Sequence, residues 1–367
     1  MMNFISQLAR ILVSVTFIFS GFVKLVDPLG SAYKFEEYFG ADVLNLEFLS
    51  PYVLQFSILL ILAEIMLGVM LLVGYKAKFT VWSLFLISLL FLFLTWYSAY
   101  FDKVTDCGCF GDAVKLTPWE TFYKNVILIV LVVYLMIRIH DIQPIGSDIV
   151  AKRISLVSLV IFIGIQFYVL RYLPIIDFRP YAIGKNIPEG MIFPEGAEVP
   201  VYEDTWIYNV NGEDKTFSTE DKPWNIDGAT FVDRKTRTLK EGYVPPIHDF
   251  TMETEGEDMT DLLMEKEKLM LFVAYNLKLT SAKGLNNIKD LSERAMEKGY
   301  TVYCFSASTI DDYKQIKDQY DLDFELLFCD ETTLKTIIRS NPGIVTLNKG
   351  TIKGKWSWRQ AKNVTLE

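Results

Sequence analysis

Two cysteines separated by one glycine, in Asp106-Cys107-Gly108-Cys109-Phe110-Gly111-Asp112, are the residues of this chain best suited to covalent chemistry. Thiols two positions apart, with a glycine between them able to take an unusual backbone, can close a small strained disulfide. Strain makes such a bond labile, so an oxidising compartment would let the pair cycle. Asp106 and Asp112 oppose this, because neighbouring carboxylates raise a thiol's pKa and slow its attack. The alternatives are a static loop staple, or a soft metal pair with too few companion ligands. The remaining cysteines, Cys304 and Cys329, fall in core-like strands, where a free thiol acts as a small hydrophobe. A Cys304–Cys329 disulfide is the other reading. With only His140 and His248 present, imidazole-based metal or proton chemistry is poorly supplied, and no metal site is expected.

A second group of residues draws notice because charge is costly inside apolar segments. Arg10 and Glu64 lie within hydrophobic runs and should face a bundle interior, where they could be partners. Lys24 lies near the end of its run and can snorkel to the surface. Such groups either line a polar cavity for a quinone or small ligand, or form an internal polar clamp. The clamp is the preferred reading, and no cofactor is required by the sequence.

The elements that must position these residues follow from composition. Hydrophobic residues make up 51% of the 367, and the mean hydropathy is +0.24, high for a soluble protein. Acidic and basic residues balance up to residue 173, so the whole net charge of −9 lies beyond it. A neutral apolar half followed by an acidic half reads as a membrane part plus a soluble part. No basic patch is available for phosphates, which argues against nucleic acid. Five segments have the length to cross hydrocarbon: Phe4 to Val26, Val53 to Val73, Phe79 to Tyr100, Phe122 to Ile139 and Ile154 to Leu173. The lipid bilayer is therefore one partner. The first run lacks a charged leader and a small-residue cleavage site and contains Arg10, so it reads as retained.

Loop charges set the expected orientation. Lys76 and Lys78 follow the second span, and Arg138, Lys152 and Arg153 follow the fourth. The loops after the first and third spans are acidic or mixed. The positive-inside rule places the N-terminus in the cytoplasm and, after five crossings, the C-terminal part outside. For a bacterial inner membrane that is the periplasm.

Beyond Pro174, residues 174–242 read as an irregular β-containing connector with turn signals and short β-like runs at Val201-Tyr202 and Trp206-Ile207-Tyr208. From about Tyr243, strands at Leu269, Tyr300, Phe324, Gly343 and Thr351 alternate with helices starting near Ala282, Thr309 and Glu331. That alternation predicts an α/β sheet with parallel pairs over 243–367.

The run Arg10, Phe17, Ser20, Gly21, Lys24, Asp27, Pro28, Gly30, taken with the Cys107-Gly108-Cys109-Phe110-Gly111 loop, resembles the DoxX/MauE family of four-helix membrane proteins. The cysteine loop is typical of its MauE-like branch. Glu64, Trp119 and Lys124-Asn125 fit the same pattern. The resemblance implies a four-helix bundle over residues 1–145, with 146–173 as an added fifth transmembrane helix. It also implies an association with maturation of disulfide-containing periplasmic proteins.

In the soluble half, Pro245-Pro246-Ile247-His248-Asp249-Phe250 and Ser340-Asn341-Pro342-Gly343 resemble segments of periplasmic thioredoxin-like domains, the second being the one that holds the cis-proline. Asn341 and Pro342 are the binding residues this implies, with a backbone edge suited to an extended peptide. The departure is at the first long helix. Where a thioredoxin has Cys-x-x-Cys, this chain reads Leu277-Lys278-Leu279-Thr280-Ser281-Ala282. Without a thiolate at that helix start the oxidoreductase reaction is unavailable. The expected protein is thus an inner-membrane accessory or partner-binding subunit that presents a silent thioredoxin-like domain to the periplasm. The alternative is a redox protein in which Cys107 and Cys109 exchange disulfides or pass electrons to a quinone.

Overall fold

The computed structural model describes residues 4–41, 43–101, 103–104, 108–210, 212–240, 242–254 and 256–366. Cys107, with Asp106, lies outside them.

Five long apolar helices build the N-terminal half: α1 (Phe4–Val26), α3 (Val53–Val73), α4 (Ala77–Phe101), α5 (Pro118–Ile137) and α6 (Asp148–Arg171). Each is long and apolar enough to cross a membrane. Between α1 and α3 a shorter helix, α2 (Pro28–Phe39), starts on Asp27, whose side chain accepts from the Gly30 N–H. Local signals fix the starts of the later helices. Thr117 and Glu120 form a reciprocal capping box ahead of α5, with Pro118 in its first turn. Ser147 caps α6.

Without a hydrophobic drive between helices in lipid, close approach at small residues holds such a bundle. A Cβ added to Gly21 would stand 2.7 Å from the Ile65 Cβ, and one added to Gly68 would meet Ile18 and Phe17 at about 3 Å. The glycines of α1 and α3 therefore each receive the other helix. Along this seam and against α4 and α5, Val13, Phe17, Leu71, Leu84 and Val132 form the bundle core.

Short helices and strands follow: α7 (Ile187–Met191), β1 (Val201–Val210), β2 (Glu213–Ser218), β3 (Thr230–Lys240), β4 (Glu253–Thr254), β5 (Glu257–Asp258) and α8 (Thr260–Met264). The chain ends with β6 (Leu269–Val273), α9 (Ala282–Glu297), β7 (Thr301–Ser306), α10 (Ile310–Tyr320), β8 (Glu325–Phe328), α11 (Glu331–Ile337), β9 (Gly343–Asn348) and β10 (Thr351–Ser357). They form a seven-stranded sheet in the order β10-β9-β6-β7-β8-β4-β5. β6, β7 and β8 run parallel, and β9 and β4 join them antiparallel.

The central strand shows why this sheet forms. All five residues of β6 are buried, as a strand covered on both faces requires. Leu269, Leu271 and Val273 pack with Phe250, Leu334 and Ile337 on one face. Met270 and Phe272 pack with Ile288, Leu291 and Tyr313 on the other. The expected α/β alternation is present, with element limits within a few residues of the predicted ones.

The stretch expected as an irregular connector differs. Residues 201–240 carry a three-stranded antiparallel sheet ordered β2-β1-β3, with Trp206 opposite Phe217 and Arg234 and the β1–β3 register shifting after Val201 and after Ile207. Clusters of charged residues interrupt its apolar ones, so a reading of hydrophobic runs finds only the short pieces Val201-Tyr202 and Trp206-Ile207-Tyr208 of β1. The start of the stretch belongs to the larger sheet. Tyr181 and Ile187 are in its core, and Gly184 and Lys185 exchange backbone hydrogen bonds with Ile352 of β10.

Candidate functional site

Polar residues inside the bundle make one connected chain. Glu64, on α3, is 2% exposed, and both its carboxylate oxygens accept from the Lys24 Nζ, at 3.0 and 2.8 Å. The same ammonium donates to Ser20 Oγ at 3.0 Å and lies 5.1 Å from the Phe91 ring centroid. Ser20 Oγ in turn donates to the Cys109 carbonyl at 2.6 Å. The cysteine loop is thereby tied to the ion pair.

Two expectations are corrected here. Lys24 does not snorkel to the surface, because one buried carboxylate at its tip satisfies it better than a long reach to water. Arg10 is not the partner of Glu64. Its guanidinium donates instead to the carbonyls of Leu71, Leu72 and Gln143, at 2.8 to 3.0 Å. Two of these carbonyls are in the last turn of α3 and the third is in the loop between α5 and α6, and a planar five-donor fork can reach all three.

The bundle and the sheet-rich half meet through a second ionic cluster. Asp27 accepts from Arg339 Nε at 3.0 and 2.9 Å and pairs with its Nη2 at 2.9 Å. Arg339 also donates to the Lys335 carbonyl. The Tyr33 ring of α2 lies beneath Lys335 and Arg339, at 4.8 and 5.2 Å from its centroid. Beside them, Arg179 and Lys355 share the Asp177 carboxylate, at 2.7 and 2.6 Å, and Lys355 also donates to the Tyr181 carbonyl.

The electrostatics follow from burial and pairing. Burial would raise the Asp27 carboxyl, but Arg339 and Arg179 outweigh it and hold the group below the usual carboxylate value. Asp177 is likewise held low, by Arg179 and Lys355 against its burial. Lys355 is pulled down to about 7 by burial and by Arg179, with Asp177 opposing. Burial raises the Tyr33 phenol, aided by Tyr275.

Between these clusters lies a cavity of about 680 Å³. Lys24, Asp27, Arg179 and Arg339 line it, and so does Cys109, which is half-buried. Gly108 has φ +63, a conformation that favours glycine, and a Cβ there would press on the Lys34 side chain at 3.3 Å. Cys107, the other half of the predicted pair, lies outside the described residues. Lys24, Asp27, Glu64 and Cys109 are therefore brought to one end of the bundle, and Arg10 stands apart at the other.

Asn341 and Pro342 are joined by a cis peptide bond just ahead of β9. Asn341 Nδ2 donates to the Asn276 carbonyl at 2.8 Å. Thr280 Oγ1 donates to the same carbonyl at 2.9 Å. The side chains at the start of α9 are thus engaged in hydrogen bonds and packing, with Gly284 directly against Pro342. Cys304 and Cys329 are both free, which excludes the disulfide between them. Burial pushes each thiol up to about 12, so neither is a nucleophile near neutrality. Among the described residues no group of three or more His, Cys, Asp or Glu stands close enough to hold a metal ion.

Sequence reasoning did not find Ser20 as a link, nor Tyr33, Asp177, Arg179, Lys335, Arg339 and Lys355. The one usable signal was Arg339 beside the Ser340-Asn341-Pro342 run, since a cation next to a predicted binding segment merits attention.

Residues 2–138 match the family model for Methylamine utilisation protein MauE. The match takes in α1 to α5 and the cysteine loop and ends before α6. The MauE part of the resemblance drawn from Lys24, Asp27, Glu64 and Cys107-Gly108-Cys109 is thereby borne out, and the N-terminal part is a MauE-like membrane region. No curated protein matches the chain.

Proposed function

We propose that this chain is an accessory subunit of an envelope complex, anchored by a MauE-like bundle and presenting a catalytically silent thioredoxin-like domain to the periplasm. The observation that carries this reading is the buried Asp27–Arg339 pair. It fixes the sheet-rich half onto the end of the bundle where Cys109 lies, so a partner held by the outer domain would sit over the cysteine loop. The thioredoxin-like reading draws support from three parallel strands flanked by antiparallel β9 and β10, and from the cis Asn341–Pro342 bond before β9. Two buried high-pKa thiols and no cysteine at the start of α9 support catalytic silence. Loop charges support a cytoplasmic N-terminus in the bacterial inner membrane. The matched family's description names methylamine utilisation, and an accessory role in maturing a periplasmic enzyme fits that setting.

Affinity purification of the full chain in mild detergent tests this. One protein is expected to copurify in near-stoichiometric amount and to be lost when Asn341 and Leu279 are replaced by Glu. No stoichiometric partner under any condition would overturn the reading.

A second reading is favoured by one observation: Cys109 lies on the wall of a cavity beside a buried ion pair. There Cys107 and Cys109 would give up two electrons and two protons, closing a disulfide, to a quinone that leaves as quinol. Cells carrying Cys107→Ser or Cys109→Ser alone are expected to trap a mixed disulfide with a substrate protein. No adduct from either variant sinks this alternative.

A further inference from the structure

The cavity between the two halves has two chemically different walls. Leu60 and Ile61 of α3 and Leu90, Phe91 and Leu94 of α4 make an apolar floor. Leu86, Leu89, Leu90 and Phe93 form an exposed apolar stripe on α4, and Leu90 belongs both to this stripe and to the floor. The floor is therefore continuous with the surface that α4 turns to lipid. The roof is polar and comes from α2, α11 and the segment after α6.

Charge decides which head group such a site accepts. Among the described residues five cations line the cavity, and each already has a carboxylate partner. Lys24 pairs with Glu64, Lys34 with Glu37, Arg179 with Asp177, Lys335 with Glu331 and Arg339 with Asp27, all at 2.7 to 2.9 Å. An anionic head would have to take one of these cations and leave a carboxylate unpaired, buried in the case of Asp27 or Glu64, which is strongly unfavourable. A neutral head needs only hydrogen bonds, and Ser31, Thr332 and Thr336 place hydroxyls on the lining.

We propose that this cavity binds one uncharged amphiphile from the bilayer, with an apolar tail on the α3–α4 floor and a non-ionic, hydrogen-bonding head beneath α11. The proposal rests on the lining of the cavity alone and stands whether or not the accessory reading holds. Its volume falls in the range of small-molecule sites.

Photolabelling of the full chain in nanodiscs tests it. The probe is a monoacylglycerol with a diazirine in its acyl chain, compared with a phosphatidate carrying the same chain. Monoacylglycerol is expected to label peptides containing Leu60–Ile61 and Leu90–Leu94 about tenfold more than phosphatidate, because the charged head must break a buried pair. Leu60→Trp, which fills the floor, should abolish that labelling. Leu89→Trp, on the lipid-facing stripe outside the cavity, should not. Unlabelled monoacylglycerol should compete saturably on the unsubstituted protein, a measurement independent of how the variants fold. Equal labelling by both probes, or labelling that competitor does not reduce, would overturn the proposal.

Discussion

Asp27 and Arg339 are 312 positions apart in the chain, yet their side chains form a buried ion pair with three nitrogen–oxygen approaches of 2.9 to 3.0 Å. One residue caps the helix that follows the first span, and the other precedes the cis Asn341–Pro342 bond. The pair makes the orientation of the sheet-rich half a property of the bundle. Without it, the two halves would be joined at this end by the short segment after α6 and by the contact of Lys335 with the Tyr33 ring.

Replacing one partner should be worse than replacing both. Arg339→Ala leaves the Asp27 carboxylate buried without its main counter-charge, at a cost of about 3–5 kcal/mol. Asp27→Asn with Arg339→Leu removes both charges and should recover most of that loss. Thermal unfolding in nanodiscs, with limited proteolysis of the segment around Asp177, reads both. Equal destabilisation by the single and double variants would show that the pair contributes little.

Acid should loosen the same junction. Asp27 and Asp177 have folded values below the usual 3.8. A depressed carboxyl contributes stability that is present above its unfolded value and is lost as pH falls through the folded one. Protease sensitivity at residues 174–187 should therefore stay flat from neutrality down to about pH 5 and rise below about pH 4. In Asp27→Asn that acid-dependent step should shrink. A step of unchanged size would assign it to other carboxylates.

Lys355 should act on the alkaline side with the opposite sense for its type. Its ammonium is pulled from 10.5 to about 7. Between those values the unfolded chain holds a proton that the folded chain lacks, so stability rises with pH across the window. The slope is at most about 1.4 kcal/mol per pH unit. Lys355→Met should lack this slope, measured as the difference in unfolding midpoint between pH 7 and pH 9.5. Parallel curves for the two proteins would mean that Asp177 keeps the lysine charged.

The spans were legible because an unbroken apolar run of helical length has few other fates, and the same holds for β6, whose residues are all apolar. Lys24 and Glu64 stood out because charge is rare in apolar runs, Cys109 through its spacing from Cys107, and Asp27 through the family resemblance. What those residues touch was not legible. Whether Glu64 meets Arg10 or Lys24 depends on the rotation of α3 against α1, which the Gly21–Ile65 and Gly68–Phe17 approaches set in three dimensions. Arg339 has no local feature that points to a residue in another half of the chain. Of β1 to β3 only two short runs within β1, Val201-Tyr202 and Trp206-Ile207-Tyr208, were legible, because charged and polar residues interrupt both faces of these strands, and the pairing of Trp206 with Phe217 only appears once the register is known.

The α1–α3 seam should be sensitive to a single methyl group. Gly21→Ala places a carbon 2.7 Å from the Ile65 Cβ, with that residue's backbone at 2.9 Å, so the helix itself must shift. Overpacking of this kind costs about 1–3 kcal/mol. Gly164→Ala in α6, where nothing lies within 4 Å of the added carbon, is the control and should be neutral or slightly stabilising. Unfolding in mixed micelles with increasing sodium dodecyl sulfate ranks the two. Equal midpoints would mean that the seam yields freely.

The Lys24–Glu64 pair should behave as a unit rather than as two independent charges. Glu64→Gln leaves an ammonium among apolar neighbours, with Ser20 and the Phe91 ring as its remaining support, and Lys24→Met leaves a bare carboxylate. Either should cost about 3–5 kcal/mol. Lys24→Met also frees Ser20 from its ammonium, so the Ser20 hydroxyl keeps only the Cys109 carbonyl. The double variant Lys24→Met with Glu64→Leu removes both charges and should regain most of the stability, as replaced buried pairs commonly do. Its second effect distinguishes a clamp from a functional site. If the pair serves only packing, the double variant should retain the wild-type rate of Cys109 alkylation by a small maleimide. If the pair sets the environment of the cysteine loop, through Lys24, Ser20 and the Cys109 backbone, that rate should change severalfold while stability is restored. A restored fold with unaltered Cys109 reactivity would confine Lys24 and Glu64 to holding α1 and α3 together.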